Sequence, residues 1–217
     1  MEKEVKCAVC GEKCLVTDEI YTNNFVLPKT NEEELYYNLW HTPIQRCPKC
    51  NYASLDISSC LNSNIIFAKD IKIILNNPIL AKMKDARHNL IEDYMLASVY
   101  YNLLNDNLQC AKCLLQAGDY AYDEAMFWSV YVLDDNEEIE YKEIISFAKE
   151  LYHKGTEFLK QYLYSNSLDI DHQLLLIGVL NESGSKGRLE SNILIESLKK
   201  QKLTENQSTI LKFLQRN

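Results

Sequence analysis

Two Cys-x-x-Cys pairs constrain the fold of this chain of 217 residues more than any other feature. The pairs are Cys7 with Cys10 and Cys47 with Cys50. Each is followed by a residue that suits a left-handed turn, Gly11 or Asn51, because glycine has no Cβ and asparagine tolerates a positive φ angle. Two such knuckles supply four thiolates, which match the closed tetrahedral shell of a structural Zn²⁺ ion. The sequence therefore predicts one structural zinc site with all four cysteines as ligands.

The chemistry expected of this site is structural. A shell closed by four thiolates leaves no open position for water or substrate, so it stabilises a fold without catalysing a reaction. The sequence contains no His-Glu-x-x-His pair, no Gly-x-Ser-x-Gly elbow and no glycine-rich phosphate loop. We therefore expect a protein that is not an enzyme.

The other four cysteines leave alternatives open. Cys14 lies four residues after the first knuckle ends and is an alternative ligand. Cys110 and Cys113 share one helical face, where a second metal or a redox pair is an alternative to packing as small apolar residues, which we favour. Cys60 is expected to be a buried or interfacial thiol. His41 is an alternative ligand, or a hydrogen-bond donor near the second knuckle, and a simple packing role is favoured.

The distribution of the cysteines also indicates the cellular compartment. Disulfide-rich secreted scaffolds spread their cysteines along a short chain, whereas here they cluster in pairs. The amino terminus is charged and carries no apolar signal-peptide core. The longest apolar stretch, residues 174–180, is far shorter than the roughly 18 residues that a membrane span requires. We expect reduced thiols, a cytoplasmic location and no membrane association.

Net charge bears on the class of partner. The formal net charge is −8, with six Lys/Arg against nine Asp/Glu in residues 1–60 and 17 against 22 in the remainder. Neither part is basic, and nucleic-acid binding depends largely on Lys and Arg that neutralise phosphates. The charge balance therefore counts against nucleic acid. Lys49 and Tyr52, beside the second knuckle, keep that alternative open.

The hydrophobic pattern divides the chain into a small β module at residues 1–59 and an α-helical domain at residues 60–217. Short strands are predicted at residues 15–17, 24–27 and 38–42, whereas residues 32–37 form either a helical turn or a loop. Helices are predicted at residues 65–75, 80–104, 108–133, from a capped break at 134–136 to 164, and at 171–181, 189–201 and 204–214, with a loop at 182–187.

Short turns between these helices predict antiparallel helical hairpins. The best match to the tetratricopeptide pattern is residues 94–101 followed by 110–117, where Ser98, Cys110 and Ala117 are small enough for close helix contact. Residues 176–180 match the tetratricopeptide pattern more weakly and are interpreted as a degenerate repeat. The predicted fold class is mainly α, with tetratricopeptide-like antiparallel helical hairpins preceded by a small zinc-ribbon-like β module.

Aromatic residues are concentrated on the central predicted helices. The favoured interpretation is that they fill the core between helices. The alternative is that some of them line a groove and stack on a bound peptide, as in many helical-repeat proteins. The candidate partner-binding residues under this alternative are Tyr94, Tyr101, Trp128 and Tyr131.

The chain resembles a bacterial family of cytoplasmic proteins that pair a zinc-ribbon-like segment with a tetratricopeptide-like helical region. The resemblance rests on the first knuckle with Gly11, on residues 46–53 around the second knuckle, and on the Leu-Ile-Gly-x-Leu run at 176–180. Asn51 stands where the family usually has glycine. The resemblance implies the architecture, but the family carries no established activity to transfer.

These observations favour a non-enzymatic adaptor: a zinc-stabilised module joined to a helical platform that binds a protein or peptide partner. Two alternatives come from other classes. One is a zinc-ribbon protein that binds nucleic acid or acts in transcription. The other is a redox sensor, in which oxidation of zinc thiolates, or of Cys110 and Cys113, releases the metal.

Overall fold

The computed structural model of the chain describes residues 2–17, 30–39, 43–60, 68–83, 87–129 and 135–216. Within these ranges the fold is mainly helical with a small β portion, as predicted. The strands are β1 (Glu2–Lys6), β2 (Lys13–Thr17), β3 (Gln45–Arg46) and β4 (Ala53–Ser54). The α-helices are α1 (Asn31–Tyr37), α2 (Ala68–Leu75), α3 (Arg87–Leu103), α4 (Asn107–Ser129), α5 (Asp135–Ser165), α6 (Ile170–Glu182), α7 (Gly184–Leu198) and α8 (Glu205–Arg216), with a 3₁₀ turn at Leu80–Lys82.

The four strands form two antiparallel hairpins. β1 pairs with β2, so that Val5 lies opposite Cys14, and β3 pairs with β4, so that Arg46 lies opposite Ala53. Each Cys-x-x-Cys knuckle connects the two strands of one hairpin. The strand predicted at residues 24–27 lies outside the described residues. Of the strand predicted at 38–42, only residues 38 and 39 are described, and they form the turn that ends α1, not a strand.

The chain forms two compact units that are not continuous in sequence. Unit 1 comprises Met1–Ile20 and Thr42–Gly155, and unit 2 comprises Tyr21–His41 and Thr156–Asn217. The sequence predicts a different division, into a β module at residues 1–59 and a helical domain at residues 60–217. That division concerns which segments fold independently, so it stays a prediction.

Unit 1 contains a long helical hairpin formed by α3 and α4. Asn105 adopts a left-handed conformation (φ 57°) in the turn between the helices, and the Asp106 carboxylate accepts a hydrogen bond from the Gln109 amide (3.1 Å) at the start of α4. The part of α5 in this unit packs closely against α4, because a Cβ on Gly155 would lie 2.9 Å from Cγ of Leu115. The α3–α4 hairpin therefore agrees with the short turn predicted between these two helices.

Unit 2 is built on α6, α7 and α8. One buried apolar cluster of this unit comprises Leu174, Ile177, Ile195, Leu198, Ile210, Leu211 and Leu214. The capping pair at the start of α8 is reciprocal, since the Thr204 hydroxyl accepts from the Gln207 amide and the Gln207 side chain accepts from the Thr204 amide.

The segment between the two knuckles contributes α1 to unit 2. The Thr30 hydroxyl caps this helix by accepting from the Glu33 amide (3.2 Å), which decides between the helical turn and the loop for residues 32–37. Tyr36 lies over Gly178 of α6, and its hydroxyl donates to the Leu175 carbonyl (3.4 Å). A Cβ on Gly178 would lie 1.9 Å from the Tyr36 hydroxyl oxygen, so glycine is required by close approach.

Three predicted helix boundaries are wrong. The helix predicted at residues 80–104 is interrupted, because Leu80–Lys82 form a 3₁₀ turn, Met83 is extended (ψ 128°) and α3 begins at Arg87. The loop predicted at residues 182–187 is absent, because α6 ends at Glu182 and only Ser183 separates it from Gly184, which begins α7 in a left-handed conformation (φ 81°). Glycine adopts this conformation without a steric penalty, so one residue can reverse the chain between helices. The cap predicted at Asp135 or Asn136 is also wrong, since both residues already belong to α5.

No helix in the described ranges is both long enough and apolar enough to cross a membrane.

Candidate metal centre

The first knuckle is a tight turn closed by backbone hydrogen bonds. The Gly11 amide donates to the Cys7 carbonyl (2.9 Å), and the Cys7 amide donates to the Glu12 carbonyl (2.8 Å). Gly11 has a φ of 72°, which is the left-handed conformation that the sequence predicted for this position.

The second knuckle repeats this pattern. The Asn51 amide donates to the Cys47 carbonyl (3.0 Å), and the Cys47 amide donates to the Tyr52 carbonyl (2.8 Å). Asn51 has a φ of 60°, again as predicted. Arg46 holds the Asn51 side chain, since its Nε and Nη2 both donate to Oδ1 of Asn51 (3.1 and 2.7 Å).

The two knuckles bring four sulfur atoms together. The Sγ atoms of Cys7, Cys10, Cys47 and Cys50 all lie within 4.8 Å of one another. Cys7 and Cys50 are 3.7 Å apart, and Cys10 and Cys47 are 3.6 Å apart. A tetrahedral ion with metal–sulfur bonds of about 2.3 Å places its ligand sulfurs about 3.8 Å apart. The cluster therefore fits a metal ion of this type, and these four residues would hold it.

Cys47 is fully buried, and its thiol is the one in the cluster whose pKa is lowered. Burial opposes ionisation of this thiol, but the amides of Cys50 and Lys49 and the neighbouring thiols Cys10 and Cys50 outweigh it and lower the pKa of Cys47 to about 7. Burial raises the pKa of Cys7 and of Cys50. Backbone amides aimed at a buried sulfur favour its thiolate, which is the form that binds metal.

Further contacts join the two hairpins. The Ala8 amide donates to the carbonyl of Ile57 (2.9 Å), whose side chain is fully buried. Lys49 of the second knuckle forms an ion pair with Glu12 beside the first (3.0 Å). The ion pair is exposed to solvent and is a weak contact.

The second hairpin also packs against α3 of the same unit. Arg46 forms ion pairs with Glu92 and with Asp93, the latter at 3.0 Å through Nη1. The rings of Tyr52 and Tyr100 meet edge to face, with centroids 5.0 Å apart. Sequence reasoning missed this interface. The available signals were an arginine directly before Cys47 and two adjacent acidic residues in an otherwise apolar part of α3.

Two of the four candidate partner-binding residues lie in the interior of unit 1. Tyr94 is 3% exposed and stacks on Tyr120 with ring centroids 5.7 Å apart. Tyr101 is 7% exposed, and its hydroxyl oxygen accepts a hydrogen bond from the Leu55 amide (2.9 Å). Their burial favours the packing interpretation of these two tyrosines.

The other two candidates are not described in the same detail. Trp128 belongs to α4, but its side chain lies outside the described residues, and Tyr131 lies outside them entirely. The assignment of a partner-binding groove therefore stays a prediction.

The cysteines outside the cluster are placed as follows. Cys110 and Cys113 lie on α4 and are buried, and burial raises the pKa of Cys110 to about 12 and that of Cys113 well above its usual range. These surroundings favour the packing interpretation. Cys60 is half-buried, and His41 lies outside the described residues.

Cys14 is buried, its Sγ lies 3.7 Å from the Glu12 carbonyl oxygen, and it does not belong to the group of four. Burial, followed by the thiols Cys47, Cys7 and Cys10, raises the pKa of Cys14 to about 11.

Lys49 and Tyr52, the two residues on which the nucleic-acid alternative rests, both form contacts within the protein. Tyr52 is buried, and its hydroxyl donates to the Ser59 carbonyl (2.7 Å), while Lys49 pairs with Glu12.

Comparisons with known proteins found no matching family model, no matching curated protein and no matching solved structure.

Proposed function

We propose that this chain is a non-catalytic, zinc-stabilised adaptor, in which one Zn²⁺ ion held by Cys7, Cys10, Cys47 and Cys50 supports a helical platform for a protein partner. The observation that carries the proposal is the cluster of four sulfurs, with distances of 3.6 and 3.7 Å across the two knuckles. Zinc is the preferred occupant, because tetrahedral sites of four thiolates select zinc or iron–sulfur chemistry, and zinc requires no further inorganic component.

The proposed role of the metal is to hold the second hairpin in place. This hairpin is only two residues long in each strand, too short to be stable alone. Its outer contacts are Arg46 with Glu92 and Asp93, and Tyr52 with Tyr100, all on α3. Metal binding then stabilises both the knuckle and its packing on the helical hairpin.

The proposed platform is the solvent-facing side of α4. Tyr122 and Met126 lie one turn apart on this helix and are 42% and 44% exposed. Large exposed apolar side chains on a helix are typical of surfaces that bind another protein.

The metal part of the proposal is tested by zinc stoichiometry of protein purified without chelator. Wild type should contain one zinc per chain, and Cys10→Ala/Cys50→Ala should contain none. The matched control is Cys110→Ala/Cys113→Ala, which also removes two cysteines and should retain the metal. Zinc in the first double variant, or its loss from the control alone, would contradict the ligand assignment.

The platform is tested by partner capture with zinc-loaded Tyr122→Ala/Met126→Ala. Tyr101→Phe is the control, because it changes a buried hydroxyl and leaves the surface intact. Recovery of the same partners by all variants would contradict a role for this face of α4.

A further inference from the structure

Helix α7 buries one face within unit 2 and exposes the opposite face to solvent. Its buried residues recur at helical spacing and are Gly187, Ser191, Ile195 and Leu198. The residues on the other side of the helix are Lys186, Leu189, Ile193 and Glu196, and all four are exposed. Leu189 and Ile193 lie one turn apart and are 68% and 72% exposed. One apolar stripe is enough to pack a surface helix, so the fold of unit 2 does not account for this second apolar pair.

The charges on the exposed face lie at the ends of α7 where the dipole of this helix disfavours them. Lys186 is in the first turn and Glu196 is in the last, whereas a helix favours an anion at its amino-terminal end and a cation at its carboxyl-terminal end. Within the described part of the chain, Lys186 forms no ion pair and Glu196 forms only an exposed one, with Lys199 (2.6 Å). Contacts inside the chain therefore do not explain the order of the two charges.

The order of the four exposed residues is complementary to itself when the helix is reversed. Ser191 lies midway between Leu189 and Ile193, and also midway between Lys186 and Glu196. If a second α7 is laid antiparallel on the first, each lysine faces a glutamate and each leucine faces an isoleucine. A parallel arrangement would instead place lysine against lysine and glutamate against glutamate. The charges therefore specify one orientation of the pair.

We propose that this face of α7 is an interface between two copies of the chain, which pack α7 against α7 antiparallel about a two-fold axis. A two-fold interface requires a patch that is complementary to itself, and the exposed face meets this requirement. Leu189 and Ile193 are covered at its centre, and two pairs of Lys186 with Glu196 form its rim. Each lysine then lies near the carboxyl-terminal end of the partner helix, and each glutamate near its amino-terminal end, where the helix dipole favours these charges.

The expected dimer is weak and reversible. One pair of helices covers less surface than the roughly 1,200–2,000 Å² of a stable protein interface. The interface uses neither the sulfur cluster nor α4, so its test is independent of the proposed function.

The apolar centre is tested by sedimentation equilibrium of the purified chain, with a reductant present to prevent disulfides. Over about 10 μM to 1 mM, which spans the affinities of weak complexes, the average mass of wild type should rise from one chain towards two. Leu189→Ser/Ile193→Ser should stay monomeric over the same range. The matched control is Leu15→Ser/Leu168→Ser, which also removes two exposed apolar side chains and should associate like wild type.

The charged rim is tested by charge reversal. Lys186→Glu and Glu196→Lys should each raise the dissociation constant of the dimer at least about tenfold, because like charges then face each other at both ends. Lys212→Glu on α8 makes the same change of net charge outside the interface and should have no effect. An equal mixture of Lys186→Glu and Glu196→Lys should associate as well as wild type, because every charge in the mixed dimer again faces its opposite.

Three results would each overturn the proposal. One is a wild-type chain that remains monomeric over the whole range. Another is a dimer that survives Leu189→Ser/Ile193→Ser, which would place the interface elsewhere on the molecule. The third is failure of the two charge-reversed variants to associate with each other when mixed.

Discussion

Arg46→Met is expected to destabilise unit 1 strongly, although the substitution removes no metal ligand. Arg46 is 21% exposed, and its carboxylate partners Glu92 and Asp93 are 14% and 20% exposed. Methionine preserves most of the apolar stem but removes the guanidinium group. Two adjacent carboxylates of α3 would then face the second hairpin without a counterion.

The magnitude follows from the burial of these groups. Removing one partner of a fully buried ion pair costs about 3–5 kcal/mol, because the remaining charge stays desolvated. Since solvent reaches about a fifth of each side chain, we reduce this to about 2–4 kcal/mol. Asn51 would also lose both hydrogen bonds from Arg46. In a chain of this size the expected decrease in Tm is roughly 5–15 °C.

The assay is urea and thermal unfolding of the zinc-loaded protein, followed by circular dichroism. Lys49→Met is the matched control, because it removes a cation from the same knuckle whose pairing with Glu12 is exposed, and it should unfold like wild type. A double-mutant cycle with Asp93→Asn isolates the pair itself, and the second substitution should cost less once Arg46 is absent. Equal stability of Arg46→Met and Lys49→Met would refute the reasoning.

Three further changes test other parts of the structure. Burial, which outweighs Arg46, raises the pKa of Asp93 to about 6, so the folded protein binds this proton more readily than the unfolded chain. Stability should therefore gain roughly 1 kcal/mol from Asp93 as the pH falls from about 7.5 to 5.5, and Asp93→Asn should lack this gain in urea unfolding at the two pH values. Gly178→Ala should cost about 1–3 kcal/mol in urea unfolding, because its Cβ would lie 1.9 Å from the Tyr36 hydroxyl oxygen, and a Tyr36→Leu background should relieve most of that cost. Gly11→Val should weaken zinc binding in chelator competition, because the left-handed conformation (φ 72°) costs an ordinary residue about 1–2 kcal/mol, whereas Gly11→Asn should weaken it less.

The conformation of each knuckle was predictable because it depends on local chemistry. A Cys-x-x-Cys turn followed by Gly11 or Asn51 specifies its own backbone conformation, and the observed φ angles of 72° and 60° agree with that expectation. The helices were predictable for the same reason, since the spacing of apolar residues reports on one element at a time. The boundary at Gly184 was missed because the sequence signal for a loop and for a one-residue helix junction is the same glycine-containing segment.

The contacts that surround the metal centre could not be predicted in this way. Arg46 meets Glu92 and Asp93 across 46 and 47 positions of sequence, and Tyr36 meets Leu175 across 139. No periodic pattern in either segment specifies its partner.

The sequence by itself therefore determined the two Cys-x-x-Cys knuckles, the left-handed turns that follow them and most of the helices, because each depends on residues a few positions apart. Only the tertiary structure decided that the second knuckle packs on α3, that Tyr94 and Tyr101 are interior residues, and that Cys14 is buried beside the first knuckle. These outcomes depend on which surfaces become buried together. Burial sets the strength of charges and hydrogen bonds, and it is a property of the packed chain and not of any single segment.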